Sequence, residues 1–407
     1  MEIVIVGGGI AGLGLALNLH KRGIPSRVFE SAPEIRELGV GITLLPHAMR
    51  ELTELGLQND LLPLGIENRE SLFFNRFGQL IYKEPLGRYA GYRYPELGIH
   101  RGRLHVVMYE SAVAQLGRDR IVTNRACAGL DQDAAGVTLQ FRETSTGAAA
   151  DDVRADVVVG CDGVNSTVRK RFYPDERMAF AGINTWRGVS RHAPILGGRS
   201  YLRVGSIRTG KLVIYPIGDD RDGRQLINWV AEIEKPSAKK NDWNKPGSLG
   251  DFLPVYRDWR FDWLDVPEML GNSELILEYP MVDKDPVARW TFGRVTLAGD
   301  AAHPMYPRGA NGAAQALIDS RTLADLLRKT PDPLAALAAY EQERLPATAK
   351  VVRTNRAHPP DYINIRVEEL TGDRPFDNLD KFISQEELRD LSDRYKRVAG
   401  FAMSDLS

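Results

Sequence analysis

An α/β fold, interrupted by an inserted antiparallel β-sheet and finished by a helical tail, is what this chain predicts, and three features carry that expectation. Near the start, the apolar run Ile3–Val6 opens into Gly7-Gly8-Gly9-Ile10-Ala11-Gly12. Far downstream a second apolar run, Val295–Ala298, ends in Gly299-Asp300 and leads to Pro307-Arg308-Gly309-Ala310-Asn311-Gly312. Between them, from about residue 176 to 280, short runs of aromatic and β-branched residues alternate with Gly/Asp turns. Antiparallel strands read this way.

The first element is a buried parallel strand over 3–6, followed by a helix over 11–22 that starts at the glycine loop and a strand over Ser26–Glu30. That is a βαβ unit of about thirty residues, the size of a Rossmann-like nucleotide-binding motif. Gly7 permits the tight turn, Gly9 lets the backbone approach a phosphate, and Gly12 lets the helix pack on the sheet. The helix N-terminus then offers free N–H groups and partial positive charge to a pyrophosphate. Glu30, about twenty residues beyond the glycines, stands where a carboxylate accepts both ribose hydroxyls of an adenosine. An acid there argues against a 2′-phosphate, so the nucleotide is FAD or NAD.

Next come a glycine-punctuated extended segment, Leu38–Pro46, and a helix over about 48–55. Ile99-His100-Arg101 precedes another helix running to Gln115, and Val137–Phe141 reads as a hairpin arm. The run Ala155–Gly160 opens into Cys161-Asp162-Gly163-x-x-Ser166-x-x-Arg169, again strand, turn and helix. The inserted sheet takes strands from 185–189, 212–217 and 225–233, and the segment 71–98 adds strands to it. After the return at Val295, helices follow over 313–327 and 333–350. A charged tail contains a helix whose start Ser384 caps, with Glu387 in the capping-box position. The chain thus divides into a discontinuous FAD-binding domain (1–70, 99–175 and 281–357), a substrate-binding sheet domain (71–98 and 176–280) and a helical tail (358–407).

The downstream motif favours FAD over NAD. Asp300, at the end of a parallel strand, is placed to accept a hydrogen bond from a ribityl hydroxyl. The loop Pro307, Gly309, Asn311 and Gly312 leads into a helix whose first amides face the flavin pyrimidine, where negative charge develops on reduction. Two readings stand for Asp162, contact with the cofactor or the capping of its own turn. Arg101 pairs either with phosphate and the ribityl chain or with a surface carboxylate, and Arg36 presents the same choice. Tyr215, Met281, Met305 and Tyr306 are candidates for a substrate pocket, with ordinary core as their alternative. Trp186 reads as core.

Bulk properties exclude several classes. Over 407 residues the net charge is -1, which leaves no basic field for nucleic acid or acidic lipid. No apolar stretch has transmembrane length and no charged, apolar leader precedes the first strand, so a soluble, cytoplasmic protein is expected. Cys127 and Cys161 form no Cys-x-x-Cys pair and read as structural thiols, and the histidines lack metal-ligand spacing. No second Gly-x-Gly-x-x-Gly unit serves a resident nicotinamide nucleotide, so NADH or NADPH docks transiently. Neither a Ser-His-Asp order nor a carboxylate pair nominates a catalytic side chain.

The N-terminal glycine motif with Glu30, Cys161-Asp162-Gly163-x-x-Ser166-x-x-Arg169, and Gly299-Asp300-Ala301-Ala302-His303-x-x-x-Pro307-x-Gly309-x-Asn311 together resemble the single-component, class A flavoprotein aromatic hydroxylases. The likeness runs in order through residues 1–350. Leu38–Ile42, Ile99–Gly102, Thr185–Val189, Tyr279–Pro286 and Met305–Gly312 more closely resemble its phenazine-modifying members. The resemblance implies that NAD(P)H reduces FAD and that a flavin C4a-hydroperoxide transfers oxygen to a small aromatic or N-heteroaromatic ring, phenazine-like and with decarboxylation. It implies a dry cavity more than acid–base side chains, in a monomer or homodimer. An FAD-linked reductase without oxygenation, and a non-enzymatic flavin protein that sequesters a planar metabolite, are the alternatives.

Overall fold

The computed structural model describes residues 1–220, 222–234 and 245–406. Ile3–Val6 lies at the centre of a five-stranded sheet in the order Val295–Leu297, Val157–Gly160, Ile3–Val6, Ser26–Phe29 and Ile121–Val122. Every pairing in it is parallel. Ile3, Val4 and Ile5 are buried on both faces, which is why these strands read as unbroken apolar runs. The helix Ile10–Lys21 packs against the helices Arg101–Leu116 and Gly312–Lys329. Elements from both ends of the chain therefore share one core.

The second sheet has eight strands, in the order Lys245–Pro246, Ser273–Asp283, Ala179–His192, Gln225–Glu234, Gly210–Asp219, Ser200–Ser206, Glu70–Phe74 and Leu80–Pro85. Of the strands within 71–98, Glu70–Phe74 and Leu80–Pro85 join it as expected while Glu96–His100 does not, and the sheet is not antiparallel throughout. Glu70–Phe74 runs parallel to Ser200–Ser206. A parallel neighbour needs a long crossover, and here residues 75–199, which include strands of the five-stranded sheet, lie between the two. Along Gly210–Asp219 side chains alternate between two cores. Leu212 and Ile214 join Trp186, Trp229, Phe252 and Tyr256, while Val213, Tyr215 and Ile217 face the opposite side, the period of two that a pleated strand imposes. Trp186 is core, as expected.

A small antiparallel sheet of Gly41–Leu44, Glu96–His100 and Gly65–Asn68 lies between the two. The tail folds back over the eight-stranded sheet: Ile363, Val367, Leu379, Ile383 and Leu388 pack on Phe73, Ile81 and Tyr82. Its helix Gln385–Ala399 begins with the expected capping box between Ser384 and Glu387. Among the described residues no helix is long and apolar enough to cross a membrane.

Candidate functional site

At the glycine loop, two of the three fingerprint glycines answer to packing. A Cβ on Gly12 would lie 1.9 Å from the Gly7 carbonyl oxygen, and Gly7 itself has φ +104. A Cβ on Gly9 would meet nothing within 4 Å, so that face of the loop stays open for close approach. Glu30 is gripped by the loop: its carboxylate accepts from the Gly8 amide at 2.6 Å and from the Ala32 amide at 2.6 Å. His105 completes the turn, its Nε2 lying 2.6 Å from the Gly8 carbonyl oxygen. No motif pointed to His105, whose role comes from a helix about a hundred residues away.

Arg101 opens the helix Arg101–Leu116, is exposed, and forms no ion pair with any described residue. Arg36 is instead turned to an exposed ion pair with Glu34 at 2.6 Å. A free guanidinium beside the glycine loop suits a phosphate; a guanidinium already paired in water does not.

Asp300 follows the strand Val295–Leu297 and makes no hydrogen bond to any described residue. It reaches solvent although protein surrounds it, the situation of a side chain on the floor of a cleft. Burial pushes its carboxyl up, with His303 and Arg101 opposing. The turn beneath it is firmly held. The Gly299 amide donates to buried Asp319 at 3.0 Å, and Arg344 donates to the same carboxylate at 2.7 Å. Arg169, 1% exposed, donates to the carbonyls of Ala301 and Ala302 at 2.9 and 2.6 Å.

Asp162 takes the second of its two readings. It accepts from the Thr167 and Val168 amides at 2.7 and 3.1 Å and from the Ser166 hydroxyl, so its carboxylate caps the helix Thr167–Phe172. Only its backbone lies under the glycine loop, where a Cβ on Gly7 would lie 2.9 Å from the Asp162 Cα.

The downstream loop also differs in detail from the expectation. Asn311 is buried, and both ends of its amide are committed to protein: Oδ1 to His47 at 2.9 Å, and Nδ2 to the Gly309 carbonyl at 3.1 Å and the Tyr395 hydroxyl at 2.9 Å. Its side chain shapes the loop. Gly309 is likewise set by protein, since Tyr395 occupies the place of its missing side chain. Gly312 begins the helix Gly312–Lys329, and a Cβ there would lie 3.8 Å from Asp300 Oδ1. Pro307 is exposed at the turn's start.

The loop borders a small cavity lined by Gly309, Ala310, Thr43, Leu45, Tyr201 and Arg203, with Glu96 and the tail residues Tyr395, Lys396 and Phe401. Arg203 stacks over Phe73 and Tyr201, at 4.8 and 4.4 Å to the ring centres, and forms no ion pair with any described carboxylate. Glu96, 4% exposed, is pushed up to about 7 by burial, with the Arg203 charge and the neighbouring Asn68 opposing. Lys396 is paired with Glu84 at 2.8 Å. That pair also borders an outer cleft.

Of the nominated pocket residues, Tyr215 stacks on Tyr201 at 5.0 Å, one layer behind the cavity wall. Met281 and Tyr306 are buried together with Ile183, and Met305 is half-buried. None of the four lines this cavity. Arg203, Glu96 and the tail were missed because no local pattern joins them.

Open space at Gly9, an unpartnered Arg101, and an unpartnered Asp300 beside a helix N-terminus fit the pyrophosphate and ribityl chain of FAD. A family model described as an FAD binding domain matches residues 1–202 and 278–355. The chain is 41% identical over 362 residues to a phenazine 1,6-dicarboxylic acid hydroxylase of Lysobacter antibioticus, covering 87% of this chain and 89% of that protein. It is 32% identical to a 3-amino-4-hydroxybenzoate 2-monooxygenase of Streptomyces platensis, with 87% of each covered. Klebsiella pneumoniae HpxO, solved with FAD and uric acid, shares the fold at a TM-score of 0.77 and 20% identity, over 100% of this chain and 96% of that one. The chain belongs to the FAD-binding flavoprotein hydroxylases and is an FAD-dependent aromatic monooxygenase that consumes NAD(P)H and O₂.

Proposed function

We propose that the substrate is a carboxylated, planar N-heteroaromatic of the phenazine kind, and that hydroxylation replaces its carboxyl group. One observation carries the reading: the Arg203 guanidinium, hydrogen-bonded to Ser71 and in no ion pair with any described carboxylate, lines the cavity that the loop Pro307–Gly312 borders. The Lysobacter antibioticus relative is named for a phenazine dicarboxylic acid, which agrees in ring and in charge. On this reading the five-stranded region (1–70, 99–175 and 281–357) is a Rossmann-like FAD-binding domain. The eight-stranded region (71–98 and 176–280) positions the substrate.

Bound FAD supplies reductive activation of O₂, chemistry that side chains lack. The chain supplies the setting. Glu30, Arg101 and Asp300 hold the cofactor, and the first turn of Gly312–Lys329 directs its amides toward the flavin ring. Arg203 would fix the carboxylate, with Tyr201 beside it in the cavity wall. Leu45 and Phe401 exclude water. The net reaction balances as aryl-CO₂H + NAD(P)H + H⁺ + O₂ giving aryl-OH + CO₂ + NAD(P)⁺ + H₂O.

Incubation with phenazine-1-carboxylate, NADH or NADPH, and ¹⁸O₂ tests the proposal. The expected outcome is a perturbed flavin spectrum, one labelled oxygen in the product, and CO₂. Labelled product without CO₂ removes carboxyl replacement and keeps the ring class. No spectral perturbation and no product rejects the ring class.

A further inference from the structure

We propose that Tyr395, a tail residue outside the span of the family model, is a positioning residue for the loop Pro307–Gly312. The inference rests on the reading that this loop faces the flavin ring.

The hydrogen bonds define a directed series. Asn311 Nδ2 donates to the Gly309 carbonyl and to Tyr395 Oη, which leaves Oδ1 to accept from His47 Nε2 at 2.9 Å. Burial pushes His47 down to about 4, so its ring is neutral and the proton that bridges to Asn311 sits on Nε2. Having accepted from Asn311, Tyr395 Oη donates to Asn355 Oδ1 at 2.8 Å. Asn355 Nδ2 in turn donates to the Tyr306 carbonyl at 3.2 Å. All the donors point the same way along the series, so each bond polarises the next. Its two ends hold Asn311 at one side of the loop and Tyr306 at the other.

Between those ends the backbone is held by contact. A Cβ on Gly309 would lie 1.5 Å from Tyr395 Oη, so the tail hydroxyl fills the space that a side chain would need. The next residue, Ala310, has φ +52, a conformation that a residue with a side chain keeps only where its surroundings impose it. Further tail contacts flank this point. Arg308 pairs with buried Asp361 at 2.7 Å, Gln315 donates to the Ala399 carbonyl at 3.1 Å, and Phe401 stacks on His47 at 5.0 Å. Tyr395 hydrogen-bonds Asn311 and also fills the space beside Gly309.

A purely structural role makes a different prediction. The tail also packs on Phe73, Ile81 and Tyr82 through residues remote from the loop, and a general anchor would change stability without changing cofactor affinity. Tyr395→Phe keeps the ring and removes the hydroxyl. The measurements are the FAD dissociation constant, by quenching of flavin fluorescence on adding apoprotein, and the Tm with and without FAD. Loss of the bridging hydroxyl is expected to weaken FAD about tenfold and to shrink the FAD-induced rise in Tm accordingly. The apoprotein Tm should fall by only about 2–4 °C. Asn355→Ala removes the acceptor from the other side and carries the same expectation.

Asp300→Ala separates the two levels of the argument. If it weakens FAD while both clamp variants bind FAD like the parent, the role of Tyr395 is overturned and the site stands. If Asp300→Ala also binds like the parent, the placement of the cofactor is wrong. Clamp variants that lower the apoprotein Tm with unchanged FAD affinity make Tyr395 an ordinary anchor, as does failure of both to fold.

Discussion

The two ends of the flavin site are built in different ways. At the pyrophosphate end, Gly7, Gly9, Gly12 and Glu30 lie within one βαβ unit, and Glu30 bonds to an amide only 22 residues away. At the ring end, Asn311 takes its partners from His47, 264 residues away, and Tyr395, 84 residues away. The first end is a local motif that carries its own geometry. The second is an agreement among distant segments, so a short motif marks its position without explaining its shape.

This contrast can be sharpened by mutation, beginning where the effect should be greatest. Gly12→Val drives a side chain into the Gly7 carbonyl, so it should yield no folded, flavin-bearing protein by circular dichroism and bound-flavin absorbance. Glu30→Ala removes a charge-assisted acceptor and should weaken FAD by about 1.5–3 kcal/mol in a binding titration. Unchanged FAD affinity in Glu30→Ala would remove the local motif from the cofactor site.

Arg203→Ala should weaken an aromatic carboxylate by a similar amount, about 1.5–3 kcal/mol, while leaving FAD occupancy intact. Equal loss of a decarboxylated analogue would show that Arg203 does not read the carboxylate. A smaller effect is expected with pH. Glu96 faces Arg203, Asn68, Glu84 and Lys396, and stays substantially protonated below about 7. Its ionisation as pH rises through that value offsets the charge of Arg203, so carboxylate binding should weaken on the alkaline side. Glu96→Gln should flatten that decline in a titration across the range. The smallest effect belongs to Arg36→Ala, which removes an exposed pair and should change FAD affinity by less than about 0.5 kcal/mol.

The parts legible in the sequence are those in which neighbouring residues serve one another. Apolar runs gave the parallel strands, the glycines gave the phosphate turn, and Ser384 with Glu387 gave the tail helix its start. Asp300 could be singled out because strand, aspartate and helix follow one another directly. Asn311 could be singled out too, yet not its partners, since a buried amide satisfied by His47 and Tyr395 reads like one aimed at a ligand. Arg203 carries no motif at all. Its setting shows only when Phe73 and Tyr201 close around it. The parallel pairing of Glu70–Phe74 with Ser200–Ser206 was hidden for the same reason, because strand direction depends on what the chain does between them.

The order of the five-stranded sheet has a consequence for biosynthesis. Its central strand, Ile3–Val6, leaves the ribosome long before its edge strand, Val295–Leu297. The eight-stranded sheet must also collect Glu70–Phe74 and then wait for Ser273–Asp283. Neither sheet can be completed from a contiguous stretch of nascent chain, and pairings so distant in sequence form slowly. Apolar strands made early therefore spend translation without their final neighbours, exposed to aggregation or to chaperones. Supplying FAD after synthesis should raise the yield of folded protein chiefly by trapping the finished chain, with little effect on truncated chains that stop before residue 295.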